Sequence, residues 1–393
     1  MYLRTLLVLF FAAFIPASLF GQTDSNESAE GQRTVFDIRS EGGNKYLKVL
    51  NELKTLESDD RIQQAMKTAV MVPIASFMAP NSEYESLLRQ HGFRFRADSL
   101  LTQVKKHGYT GMDNLKRVLG EEISNRNLVM FSEFHYYPHH RILIEKLLPL
   151  FSEAGYNYLA LEALTHGQDS LLNEGNPPTI HTGFYTKDPR FANLIRTAQS
   201  LDFTLIPYEN MDRERDREEG QAANLYAATY AEDPDARVLV LAGMDHILEQ
   251  PTLRGKKWLG TVLNEQYQLD PLSIGQHHLR YFERFVSDVT FVKTDIFETR
   301  PLNSVDYQLI NPLPLVEEQT NFHFTNEYEE QVQLSIYLQH EYAAEFNYNK
   351  LIPIQSRLLE AGETIPLTLP EKNLQLIVYD KEGDVLKSYP TDL

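Results

Sequence analysis

The chain has 393 residues, 55 acidic against 37 basic side chains for a net charge of −18, 42% hydrophobic residues and no cysteine. Such a composition is globular and long enough for two or three compact units, and it excludes disulfides, cysteine-ligated metal centres and thiol nucleophiles. The acidic balance argues against nucleic-acid binding and against anionic membrane surfaces, since both depend on clustered Lys and Arg.

Residues 1–21 read as a signal peptide: Arg4 lies in a short basic stretch, Leu6 to Phe20 is almost unbroken apolar sequence, and small residues gather at Ala17, Ser18 and Gly21. The run is shorter than the ~20 residues a spanning helix needs, and a polar linker, 22–43, follows. The expectation is export to the periplasm or the extracellular space, with no integral membrane span in the mature form and, without a Cys, no lipoprotein anchor. Asn26-Glu-Ser28 is formally a glycosylation acceptor.

Residues 44–122 carry apolar side chains at mixed three- and four-residue steps (Tyr46, Leu47, Val49, Leu50, Leu53, Leu56; later Leu100, Leu101, Val104), the pattern of an N-terminal helical region. From 123 to 320 short apolar runs alternate with amphipathic stretches, as in a parallel sheet buried on both faces. The runs begin at Leu128, Tyr158, Phe203 and Val238, spacings that suit βαβ units of roughly 30 residues or more. Pro138 and Gly155 bracket one connecting helix, Asp188-Pro189 opens a second, and Asp212 to Tyr230 supplies a third. Over 321–393 strict alternation (Val332, Leu334, Ile336, Leu338) and turn-forming separators predict a small antiparallel β domain. The fold class expected is α/β: a parallel-type central sheet flanked by helices, with an N-terminal helical region and a C-terminal antiparallel β domain.

Each of the four runs ends in residues able to transfer protons or bind metal: Glu133 and His135, then Glu162, then Glu209, then Asp245 and His246. Ligands of open parallel sheets bind beyond the carboxyl ends of the strands, so these groups are expected to converge. Glu133 and His135, at i and i+2, lie on one side of an extended segment. Of His139 and His140 one is expected to face the pocket and the other solvent. A carboxylate at position 162 needs a partner if buried, for which Arg141 is a candidate, and Arg213 or Arg217 is expected to turn inward from a charged helix. Gly243 is read as allowing a tight turn before His246.

The segments Glu133-Phe-His135, Ala160-Leu-Glu162 and Gly243-Met-Asp-His246 resemble the superfamily joining erythromycin esterases, ChaN-like haem-binding uptake proteins and TIKI/TraB-type metalloproteases. The i, i+2 spacing, the His139-His140 pair and Lys187 to Ala198 look closest to the ChaN-like branch, and Ser132 stands where glycine is usual. The resemblance, over about 127–280, implies a hydrolase of ester or amide bonds acting on a small molecule or peptide, with Glu133, His135, Glu162, Glu209, Arg217 and His246 as catalytic residues. It also implies, as an alternative for the same residues, a divalent ion (Zn, Mn or Fe) held by Glu133, His135, Glu162 and His246. The non-catalytic alternative is a ChaN-like haem- or iron-binding protein. No Gly-x-Ser-x-Gly elbow, Walker loop or Gly-x-Gly-x-x-Gly is present, and His340-Glu-Tyr-Ala-Ala344 lacks the second histidine of a metalloprotease helix.

Overall fold

The computed structural model describes residues 33–57, 61–91, 98–316, 319–343, 348–369 and 373–392; the expected signal peptide and the Asn26 acceptor lie outside them. In chain order come α1 (Val35–Glu41), α2 (Tyr46–Thr55), α3 (Arg61–Phe77), α4 (Ser82–His91), α5 (Asp98–His107), β1 (Tyr109–Thr110), α6 (Met112–Ile123), β2 (Leu128–Glu133), α7 (Pro138–Glu153), β3 (Tyr158–Leu161), α8 (Asp169–Asn173), α9 (Pro189–Ser200), β4 (Thr204–Pro207), α10 (Arg217–Ala228) and β5 (Val238–Gly243). Then follow α11 (Leu259–Tyr267), β6 (Leu272–Gly275), β7 (Thr290–Lys293), β8 (Tyr307–Ile310), β9 (Phe322–Thr325), β10 (Val332–Leu338), α12 (Gln339–Ala343), β11 (Gln355–Leu359), β12 (Thr364–Leu367), β13 (Asn373–Tyr379) and β14 (Val385–Asp392). The class is α/β, with a large, mostly parallel sheet flanked by helices and a C-terminal antiparallel sheet. No helix among the described residues is long and apolar enough to cross a membrane.

The described residues divide into two compact units, one of those up to 91 with Lys187–Ala192 and those from 315 onward, the other of those from 98 to 186 and Asn193–Pro314. In the first, α1 occupies part of the expected linker and is fixed by a capping box, with the Thr34 N–H donating to Asp37 at 2.8 Å. Strands β11-β10-β13-β14 form an antiparallel sheet, and β12 pairs with β9. The polar face of β10 is covered: Gln333 and Ser335 are buried, with Gln333 accepting the Leu47 N–H (3.0 Å) and donating to the Asn44 carbonyl (2.9 Å). The alternation therefore marks two buried faces of different polarity, not one wet face.

The second unit holds an eight-stranded sheet in the order β1-β7-β8-β6-β2-β5-β3-β4, parallel from β8 to β4 and closed at the other edge by antiparallel β7 and β1. Every residue of β2 and β5 is buried, which is why their sequences read as continuous apolar runs. Helix α7 starts with Pro138 at its first position and stops before Gly155, at φ 83°. Strands β6, β7 and β8 have no counterpart among the four apolar runs, because polar residues (Ser273, Thr290, Gln308) interrupt their four positions.

One half-buried carboxyl pair in this unit, Glu249 and Asp306, sets a pH dependence. The Ser273 hydroxyl donates to Glu249, and the Ser273 N–H donates to Asp306 at 3.2 Å. Burial, reinforced by Asp306, pushes Glu249 up to about 8. The folded protein therefore holds a proton that the unfolded chain has released above the ordinary carboxyl range, and stability is lost as pH rises through about 8. Glu249→Gln is expected to flatten this dependence and to be the more stable form near pH 9 by about 1–2 kcal/mol. Urea unfolding at pH 6 and pH 9 checks it, and parallel losses in both proteins would sink it.

Candidate active site at the carboxyl ends of the sheet

The chain moves from β2 outward to β3 and β4, returns to β5 beside β2, and then crosses to β6 on the far side. The β2/β5 boundary is thus a topological switch point, where open parallel sheets offer a crevice. Register sets its floor, because Glu133 pairs with Gly243 and Leu161 with Leu241, bringing three strand ends level.

Glu133 is buried and gripped by Arg141, itself fully buried in α7: Nε donates to Oε2 at 2.7 Å and Nη2 to Oε1 at 3.0 Å. The same guanidinium donates to the His135 carbonyl (2.8 Å), and His135 Nδ1 meets Glu133 Oε1 at 2.8 Å. Burial opposes the charge on Glu133, but Arg141 and His135 outweigh it and hold its pKa at about 2. The His135 ring stacks on Tyr185 with centroids 4.1 Å apart. Behind it, buried His140 accepts the Phe134 N–H on Nδ1 (2.9 Å), so His140 supports the loop that carries His135, while His139 is half-buried.

Glu162 is held by Arg217, not by Arg141. Arg217 Nη2 donates to its Oε1 at 2.7 Å, and the Gly243 N–H donates to its Oε2. Arg217 also donates through Nε to Glu209 Oε1 (2.9 Å), whose other oxygen accepts from Gln221 (3.1 Å). Arg217 is the first residue of α10, where a cation opposes the helix dipole. Its place is dictated by the two carboxylates; of the two arginines named from sequence, this is the one turned inward.

His246 Nδ1 meets Glu218 Oε2 at 2.7 Å, and that oxygen also accepts the Leu259 N–H at 3.0 Å. Burial disfavours a charged ring, but Glu162 and Glu218 together outweigh it and raise the His246 pKa above the usual histidine value. Its Nε2 has two possible partners: Arg217 Nη1 at 3.0 Å, which the neutral ring accepts from, and Glu162 Oε1 at 3.6 Å, toward which a protonated ring points. The ring can therefore exchange a proton while keeping Glu218.

Gly243 joins the two halves. A methyl group there would fall 2.7 Å from His135 Nε2 and 3.0 Å from Glu162 Oε2. Its backbone is extended, at φ −72° and ψ 137°, so the turn reading of this glycine is replaced by one of close approach; the positive φ belongs to Met244, at 32°. Glu133, His135, Glu162, Glu209, Arg217 and His246 thus lie in one linked network. As a ligand set for a divalent ion, Glu133, His135, Glu162 and His246 fit poorly, because both carboxylates already bind guanidinium groups and a cation would sit beside Arg217.

Glu218 and Tyr185 were not singled out in the sequence. Glu218 is hidden in a run of mixed charge that reads as solvated, and Tyr185 is one of 21 tyrosines.

No family model and no curated protein matches the chain. Solved structures that resemble it include two described as bacterial protein toxins, at 10% and 11% identity with TM-scores of 0.33 and 0.34, each matching 63% of this chain. The chain spans 57% of the length of those two. Another is the C-terminal region of Pasteurella multocida toxin, described as having a thiol-protease-like catalytic triad, at 14% identity and TM-score 0.30 over 69% of this chain and 37% of that one. At these scores the likeness carries no argument about fold or chemistry.

Proposed function

We propose that this chain is an exported hydrolase of ester or amide bonds in a small molecule or peptide, with His135 as general base and His246 as general acid. The observation that carries the reading is the meeting at Gly243 of His135 Nε2 and Glu162 Oε2, from separate strand ends, with each imidazole backed by its own carboxylate. Glu133, fixed by Arg141, holds Nδ1–H of His135 and leaves Nε2 to take a proton from water. Hydroxide adds to the acyl carbon, the bond to oxygen or nitrogen breaks, and the leaving group takes the Nε2 proton of His246. Glu162 and Glu209 keep Arg217 in place beside that exchange. The resemblance of these segments to the erythromycin esterase and ChaN-like superfamily supports the same reading.

A panel of p-nitrophenyl esters and short peptides tests it. Turnover by the wild type is expected to fall by about 10²-fold in Gly243→Ala, because displacing a catalytic group by about 1 Å is enough for that loss. Turnover unaffected by the added methyl would overturn the placement. No turnover at all, with a Soret band on mixing with hemin, would favour the ChaN-like carrier instead.

A further inference from the structure

A second constellation lies across β2 from the network above. Strand β2 is flanked by β5 on one side and β6 on the other, so the segments leaving β5 and β6 pass either side of Ser132. The first presents Asp245 in a 3₁₀ turn, and the second presents His277 and His278. One ligand atom from each of these three residues lies within 4.8 Å of the others. His277 Nε2 is 3.1 Å from Asp245 Oδ1 and His278 Nε2 is 3.6 Å from the same oxygen, with the two ring centroids 3.7 Å apart.

Hydrogen bonding alone leaves this arrangement unsatisfied. Asp245 engages His277, whereas His278 stands beyond hydrogen-bond distance through Nε2, and its Nδ1 is buried with no partner among the described residues. The His278 imidazole is half-buried, and its Nε2, beside Asp245 but with no hydrogen-bond partner among the described residues, has a lone pair to give to an ion. Two imidazoles and one carboxylate brought this close are a three-point ligand set with open positions for water. The outer support is also in place. Ser132 is fully buried, its Oγ lies 3.0 Å from His277 Nδ1, and it accepts the Gln276 N–H at 2.9 Å. Such a partner on the far ring nitrogen fixes which nitrogen faces an ion. Arg280 donates to the His277 carbonyl at 3.0 Å, and its guanidinium lies over the rings of Phe134 (4.3 Å) and Tyr281 (4.2 Å).

We propose that Asp245, His277 and His278 bind one divalent transition-metal ion. The nitrogen-rich set selects zinc, manganese or iron over calcium and magnesium, which prefer all-oxygen shells. The site stands independently of the hydrolytic reading, and its test uses no substrate. Untagged, metal-stripped full-length protein is titrated with Co²⁺ and followed by visible d–d absorption, then by displacement with Zn²⁺. One equivalent is expected to bind. Its affinity should fall at least about tenfold in His278→Gln and in Asp245→Asn, and about 10–100-fold in Ser132→Ala, which removes the support of His277 together with the acceptor of the Gln276 N–H. At a given ion concentration the melting temperature of the wild type should rise by more than that of His278→Gln. His278→Gln breaks no hydrogen bond among the described residues, so it reports on the site even if Asp245→Asn does not fold. Absence of the d–d bands, or equal Co²⁺ affinity in the wild type and His278→Gln, would overturn the proposal while leaving the turnover experiment untouched.

Discussion

Replacing Arg217 by methionine is expected to cost about 3–5 kcal/mol of folding stability at pH 7, the loss that follows when one member of a buried ionic group is removed and its partners stay behind. Arg217 contacts Glu162 at 2.7 Å and Glu209 at 2.9 Å, and both carboxylates are largely buried. Without the guanidinium the site holds two nearby negative charges with little water. Burial works against ionisation of Glu162, yet His246 and Arg217 hold its pKa well below the ordinary 4.5. That depression contributes stability above 4.5, and the contribution is lost as pH falls toward the folded value. The deficit of Arg217→Met should therefore be greatest near neutrality and shrink in acid. Denaturant unfolding at pH 7 and pH 4 measures it; a loss under about 1 kcal/mol at pH 7 would mean that the carboxylates have other counter-charges.

His135→Gln should behave in the opposite way, lowering turnover by about 10²–10⁴-fold while leaving stability within about 1 kcal/mol. Glutamine can still donate to Glu133, and Arg141 keeps both oxygens of that carboxylate engaged, so no buried charge is stranded. What disappears is the ring nitrogen 2.7 Å from the methyl position at Gly243. Steady-state kinetics beside thermal unfolding separates the two effects. Full activity in a folded His135→Gln protein would remove this residue from the chemistry.

The strand ends were legible because a parallel strand covered on both faces must be apolar along its length, so the first charged residue after Phe131 or Leu161 marks where the sheet meets solvent or ligand. The helix boundaries at Pro138, Gly155 and Asp188 were legible for local reasons of backbone geometry and capping. Pairing was not. Arg141 suits Glu162 as well as Glu133 until strand order is known, and a four-residue strand such as β6 carries too few positions to display a period. One signal was available in the spacing: Arg141 follows Glu133 by eight residues and Arg217 follows Glu209 by eight, each joining a strand end to the start of the next helix.

Successive residues of a strand point to opposite faces, and β2 ends in Ser132 followed by Glu133. The serine supports His277 and the glutamate supports His135, so a single peptide bond separates two polar constellations with no ligand atom in common. Such a strand terminus behaves as a partition. The turn after β5 ties the two together again, because Asp245 and His246 are consecutive within it, so a change there reaches both compartments, whereas the loop after β6 can be remodelled without touching the first.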